Sequence, residues 1–434
     1  MIRLGSVTGR RIARVSREMN STRLTELAPS PKAKPPIAEE GHFPGRPMWA
    51  EVNLAAITRN LGSIRRHLRQ LGAPRSIPFS IPKILCVVKA NAYGLGAVPV
   101  ARALAAAGAD WFGVTCPAEG AELRESGIEV PILVMTGFWP GEEKELLEYD
   151  LTPAINSMSQ LRDLKRAVLA SSRRRRIGFH LKIDTGMNRL GVPCKMLAEL
   201  VQGISESKGL RLTGTFTHLA SSEDGSSLQS EEQQRLFSDA LGVLKRGRIH
   251  PGLVHIANSA AVAARPATWA DMVRPGAALF GHHNLSAESA ANLKTTVRNL
   301  SLEPVLSLRS RIISLRDIPP GQGIGYNSRF VTQRPSRIAV IAAGYADGVL
   351  RSLSNCGRVI VRGAFAPIVG TISMDLTTID VSDIPQVQLG DIVTIYGRDG
   401  VSEQSPADVA KLVGTVTQDA FCAVGRRVPR FYYS

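Results

Sequence analysis

From residue 48 onward the hydrophobic pattern alternates between short runs rich in β-branched residues and longer amphipathic stretches rich in Ala and Leu. The short runs predict strands over 84–89, 111–114, 132–136, 152–155, 178–183, 214–218, 253–257 and 272–274. The longer stretches predict helices between them, among them 98–107, 118–126, 141–148 and 231–245. Eight strand–helix units in about 235 residues is the count and size of a (β/α)8 barrel of the TIM type.

Beyond about residue 300 the period changes. Alternating, turn-rich segments over 305–315, 338–342, 358–361, 368–372 and 392–396 predict strands, and 405–413 is the one helical pattern. The expected organisation is α/β: a barrel over 46–300, then a mainly antiparallel β domain over 301–434, with an irregular polar connection over 282–298 between them. A first β-domain strand over 48–54 fits the same pattern.

Residues 1–45 differ from the rest: rich in Arg, Ser and Pro, they cannot bury a core and are expected to form a disordered basic tail. Four glutamates and the lack of an apolar stretch in that tail argue against a targeting signal. No run of about 18 apolar residues exists to span a membrane. The five cysteines are scattered without metal-type spacing, which points to a reducing, cytoplasmic setting and predicts no metal site. The net charge of +16 invites a nucleic-acid reading, but the arginines are spread along the chain and the one dense run, Arg173 to Arg176, reads as a solvated loop. Capture of a small anion uses the same charge without a nucleic-acid partner.

Barrel geometry gathers reactive groups at the C-terminal ends of the strands. Val87-Val88-Lys89-Ala90-Asn91-Ala92-Tyr93-Gly94 delivers a lysine there, a candidate Schiff-base nucleophile. The remaining strand ends contribute Lys182, Asp184 and Arg189, then His218, then Asn258 and Ser259, then Arg274, Gly276 and Ala277. Loops after the seventh and eighth strands are frequent phosphate sites. A phosphate-bearing cofactor opposite a lysine amine suggests pyridoxal 5'-phosphate.

Several motifs, in order, resemble the alanine racemases, pyridoxal-phosphate enzymes built from a barrel and a β domain. They are the lysine segment, His180-Leu181-Lys182-Ile183-Asp184-Thr185-Gly186-Met187-Asn188-Arg189, Thr217-His218-Leu219-Ala220 and His255-Ile256-Ala257-Asn258-Ser259-Ala260. Val273-Arg274-Pro275-Gly276, Gly344-Tyr345-Ala346-Asp347-Gly348, Met374-Asp375 and Arg427-Val428-Pro429-Arg430 complete the set, which runs from about Trp49 to the C-terminus. The resemblance implies that Lys89 carries the cofactor, that Tyr93, Ser259 and the Gly276 and Ala277 amides hold its phosphate, that Asn258 also binds it, and that His218 lies beside the ring. Arg274 would meet the pyridine nitrogen and Arg189 the phenolic oxygen; Arg189 and Met374 would orient the substrate carboxylate. Lys89 and Tyr326, the latter from a partner subunit, would be the two catalytic acid/base groups, which implies a homodimer with shared sites and a role in supplying D-alanine for peptidoglycan. In many family members the lysine matching Lys182 is carbamylated.

Departures from the family pattern bear on specificity. Gln418 stands where a tyrosine is usual, which leaves room for serine or another small amino acid and makes a broad-specificity or serine racemase the alternative. Leu376, Ser373, Asn188 and Phe280 also depart, without touching the expected proton-transfer groups. A barrel-type decarboxylase would need an acid where Arg274 stands, and a barrel-only cofactor carrier would lack the segment of Tyr326 and Met374.

Overall fold

The computed structural model describes residues 46–71, 81–171, 176–292 and 300–434. The expected disordered tail 1–45, most of the arginine run and the end of the 282–298 connection lie outside the described residues. Arg176 is exposed at the edge of that run.

Eight parallel strands close into a barrel: Lys83–Val87, Trp111–Val114, Ile132–Val134, Thr152–Ile155, Ile177–Asp184, Leu210–Phe216, Leu253–His255 and Met272–Val273. Closure comes from Met272 pairing beside Lys83 and from Ala154 beside His180. Strand alternation sorts the side chains. Leu85 and Val87 point inward and meet Leu133 and Met272, whereas Ile84 and Cys86 join the larger core beneath the helices. On the fifth strand Phe179, Leu181 and Ile183 pack outward, so His180 and Lys182 face the barrel axis. Two of the covering helices start on a serine cap, Ser157 before Met158–Ala170 and Ser227 before Leu228–Arg246, each accepting from an amide in the first turn.

The second domain is organised around the long strand Leu306–Ile318. It pairs antiparallel with Met48–Asn53, Ile392–Asp399 and, at its far end, Ser336–Ile341. Arg430–Tyr433 adds parallel to Met48–Asn53, so both ends of the described chain lie in this sheet. Its helix Pro406–Val413 begins on a reciprocal cap between Ser405 and Asp408.

Several expected strand bounds change, the third strand ending at Val134 and the seventh at His255. The first barrel strand ends at Val87, not Lys89, and the sixth at Phe216, so Lys89 and His218 sit on the loops beyond. Residues 368–372 form no strand, only an Ile368–Ile379 bridge, because Gly370 takes φ of 78° and turns the chain.

Candidate active site

Lys89 opens a left-handed turn. Ala90, Asn91, Ala92 and Tyr93 have φ of 53°, 54°, 51° and 57°, closed by bonds from Ala92 N to Val88 O and Gly94 N to Ala90 O, each 2.8 Å. Four consecutive L-residues in this region cost about 1–2 kcal/mol each, so the turn persists only because its surroundings hold it. It aims Lys89 and Tyr93 into a cavity of about 230 Å³ at the C-terminal mouth of the barrel.

Arg274, 4% exposed, forms the floor. Its Nη2 donates to the carbonyls of Thr217 (2.8 Å) and Ile256 (2.9 Å) and meets His218 Nδ1 at 3.3 Å; its Nη1 meets His255 Nδ1 at 3.0 Å. His255 in turn lies 3.0 Å from His180 and stacks on Phe216 with ring centroids 4.7 Å apart. Burial, then the Arg274 charge, pushes His180 and His218 down to about 3, so both are neutral at physiological pH. Burial pulls the Arg274 guanidinium down to about 9, still a cation at neutrality. No described residue accepts a bond from its Nε, which is left for a ligand.

Opposite this floor is a cradle. Ser259 Oγ accepts from the amides of Gly276 (2.9 Å) and Ala278 (3.2 Å), and Asn258 caps the short helix Ser259–Ala264 through Ala261 N while donating to Ser222 Oγ. A Cβ at Gly276 would fall 2.3 Å from the Tyr93 hydroxyl, so only glycine leaves that phenol its place. Burial pushes the Tyr93 phenol up, and its ring packs on Phe280 with centroids 5.0 Å apart.

Lys89, Tyr93, Lys182, Arg189, His218, Asn258, Ser259, Arg274, Gly276, Ala277 and Gln418 all line this one cavity. Its wall carries four permanent or potential cations against a single carboxylate, Glu223, which suits an anionic ligand. Lys182, 7% exposed, is pushed down to about 8 by burial and then by Arg274 and Arg189. Asp184 does not pair with it; its Oδ1 accepts the amides of Gly186, Met187 and Asn188 instead. Among the described residues no cluster of side chains suits a metal ion.

Tyr326 and Met374 lie elsewhere. They line a cavity of about 410 Å³ on the β domain with Tyr345 and Arg351, and Tyr326 is 69% exposed. The expected site residues of one chain therefore fall into two separate cavities. A third cavity, about 840 Å³, opens at the opposite mouth of the barrel beside Trp111, Thr152 and Asp271 and holds none of the expected site residues. Reading the sequence missed His180 and His255 as parts of the floor, although His180 is two residues from Lys182 and shares its face by strand alternation.

Residues 52–284 match the family described as alanine racemase, N-terminal domain, and 305–432 the alanine racemase C-terminal domain. The chain is 37% identical over 387 residues to the alanine racemase of Halothermothrix orenii, covering 89% of this chain and 97% of that one. Among solved structures it is similar to the alanine racemase of Bacillus anthracis with bound L-Ala-P (TM-score 0.80, 32% identity, 91% of this chain and 96% of that one). It is also similar to that of Bartonella henselae with covalently bound pyridoxal phosphate (TM-score 0.77, 30% identity, 89% of this chain and 100% of that one).

Proposed function

The chain belongs to the alanine racemase family, and from that premise we propose which of its residues interconvert L- and D-alanine and how. Pyridoxal 5'-phosphate is the cofactor this site fits: Lys89, with no ion-pair partner among the described residues, the open Arg274 Nε and the Tyr93–Ser259–Gly276 cradle line one cavity. That juxtaposition carries the reading. When bound, the cofactor supplies the electron sink that makes the α-hydrogen of an attached amino acid removable.

Lys89 would hold the cofactor and then serve as acid/base on one face of the α-carbon. Tyr326 of the partner subunit would serve the other. One group takes the α-proton while the other, already protonated, delivers one to the opposite face, so no proton is consumed and the two exchange protonation states. Arg274 is a cation at neutral pH and can only donate, so a ring nitrogen held against it would stay unprotonated and the sink weak. Proton exchange needs no stronger one. His218, neutral at that pH, would lie beside the ring, and Arg189 and Met374 would orient the substrate carboxylate. Lys182, with a fraction of free amine near neutrality, is suited to add to CO2, forming a carbamate and releasing one proton; the resulting anion would sit among Arg189, Arg274 and Lys89.

This reading calls for a homodimer, in which the partner subunit brings Tyr326 to Lys89; the two residues' places in different cavities of one chain support it. D-alanine for peptidoglycan is the role this activity would serve. No helix among the described residues is long and apolar enough to cross a membrane. All five cysteines are free, as a reducing, cytoplasmic setting would keep them. Gln418 on the cavity wall favours a second reading, a broader enzyme that also accepts serine.

The test is chiral product analysis of the cofactor-loaded protein with L-alanine and with L-serine in heavy water. D-alanine carrying α-deuterium is expected; cofactor binding without inversion of either amino acid would overturn the assignment.

A further inference from the structure

The left-handed turn after Lys89 needs an external brace at its first amide, and one carboxylate supplies it. Glu119 lies in the first turn of the helix Pro117–Glu125, three residues after its N-cap Cys116. An acid at that position ordinarily reaches back to its own N-cap amide. Here the carboxylate leaves its helix: Oε2 accepts from Thr115 N at 2.6 Å, and Oε1 accepts from Ala90 N at 2.7 Å. Ala90 is the residue next to Lys89 and the first with positive φ. Thr115 is tied onward, its carbonyl accepting from Thr136 Oγ1 at 2.5 Å, while Thr136 O accepts from Asn156 Nδ2 at 2.7 Å. A chain of side-chain-to-backbone bonds thus runs around the barrel rim from the third following strand's loop to the lysine.

We propose that Glu119 is a positioning residue for Lys89: by bridging the amides of Ala90 and Thr115 it holds the left-handed turn that aims the lysine amine into the cavity. A carboxylate is required because both groups it meets are donors. An amide offers one acceptor oxygen and would point its NH2 at the other N–H. Aspartate is one methylene short of spanning the two. The consequence for chemistry is geometric, since misplacement of a reacting group by about 1 Å costs on the order of a hundredfold.

This rests on the role given to Lys89 above, so the test has an arm that does not depend on it. Amide hydrogen exchange is measured on the cofactor-free protein for wild type, Glu119→Gln and Glu119→Asp, with Glu122→Gln, an exposed acid of the same helix, as the control. Cofactor loading is then followed by visible absorbance, and kcat and KM for alanine are compared. Expected are faster exchange confined to residues 89–96 and slower loading. A kcat lower by about tenfold or more with KM within about twofold completes the pattern. Glu122→Gln should match wild type throughout. Unchanged exchange over 89–96 in both Glu119 variants would overturn the proposal. So would exchange raised across the whole barrel with a lowered unfolding midpoint, the result for a plain helix-capping acid.

Discussion

Arg274 Nη1 lies 3.0 Å from His255 Nδ1, and that contact sets the protonation of a buried histidine pair. A guanidinium only donates, so His255 accepts at Nδ1, carries its hydrogen on Nε2 and donates to His180 Nδ1, 3.0 Å away. His180 is then left with an Nε2–H that has no partner among the described residues. Both rings are fully buried and neutral, and burial followed by the Arg274 charge holds both below the usual histidine value, His180 at about 3.

The pair predicts a pH dependence of stability. In the unfolded chain both histidines take up protons as pH falls below about 6.5, whereas in the native protein they stay neutral. Stability is therefore fully present above that value and falls below it, by about 1.4 kcal/mol per pH unit for each histidine, until the folded pKa is reached. Urea unfolding of the cofactor-free protein at pH 7 and pH 5 reads this, and His180→Asn should lose about one proton's share of the slope. An unchanged slope in that variant would refute the neutral pair.

The division of the site between subunits is tested by mixing. Lys89→Ala should lose turnover and the lysine-linked cofactor absorbance, and Tyr326→Phe should keep the absorbance while losing about a hundredfold or more in kcat. After subunit exchange between the two inactive variants, half the dimers are mixed and each has one intact site of two. Recovery of about a quarter of wild-type activity is expected. No recovery with demonstrated exchange would mean that each chain completes its own site.

Gln418 sets a specificity prediction. Gln418→Tyr fills part of the cavity wall, so the ratio of kcat/KM for serine to that for alanine should fall by about tenfold. An unchanged ratio in the D-serine and D-alanine assay would remove Gln418 from substrate selection.

Lys182 predicts a dependence on bicarbonate. Its amine, pushed down to about 8, should take up CO2 and give a carbamate signal in carbon-13 NMR after equilibration with labelled bicarbonate. Removing bicarbonate should lower turnover in wild type and leave Lys182→Ala unaffected. A wild type indifferent to bicarbonate and without the signal would leave Lys182 a plain amine.

The eight barrel strands were legible because each is a short apolar run between amphipathic stretches, and Lys182 was legible as a group near the end of the fifth. The antiparallel domain was legible in the same way, except at 368–372, where a β-branched run reads as a strand until Gly370 turns it. The turn after Lys89 was not legible. Alanine in the left-handed region contradicts local preference, and what enforces it comes from elsewhere: Glu119 at Ala90 N, and Arg430 Nε, 3.1 Å from Gly94 O.

By itself, then, the sequence determined the two-domain plan and the chemical types at the strand ends, because periodicity and strand polarity are local and the motifs keep their order. Only the tertiary structure decided where Lys89 points, which tautomers His180 and His255 hold, and that Lys89 and Tyr326 line separate cavities. Those features depend on contacts between residues far apart in the chain, His180 and His255 being 75 positions apart, and on desolvation, which no local pattern encodes.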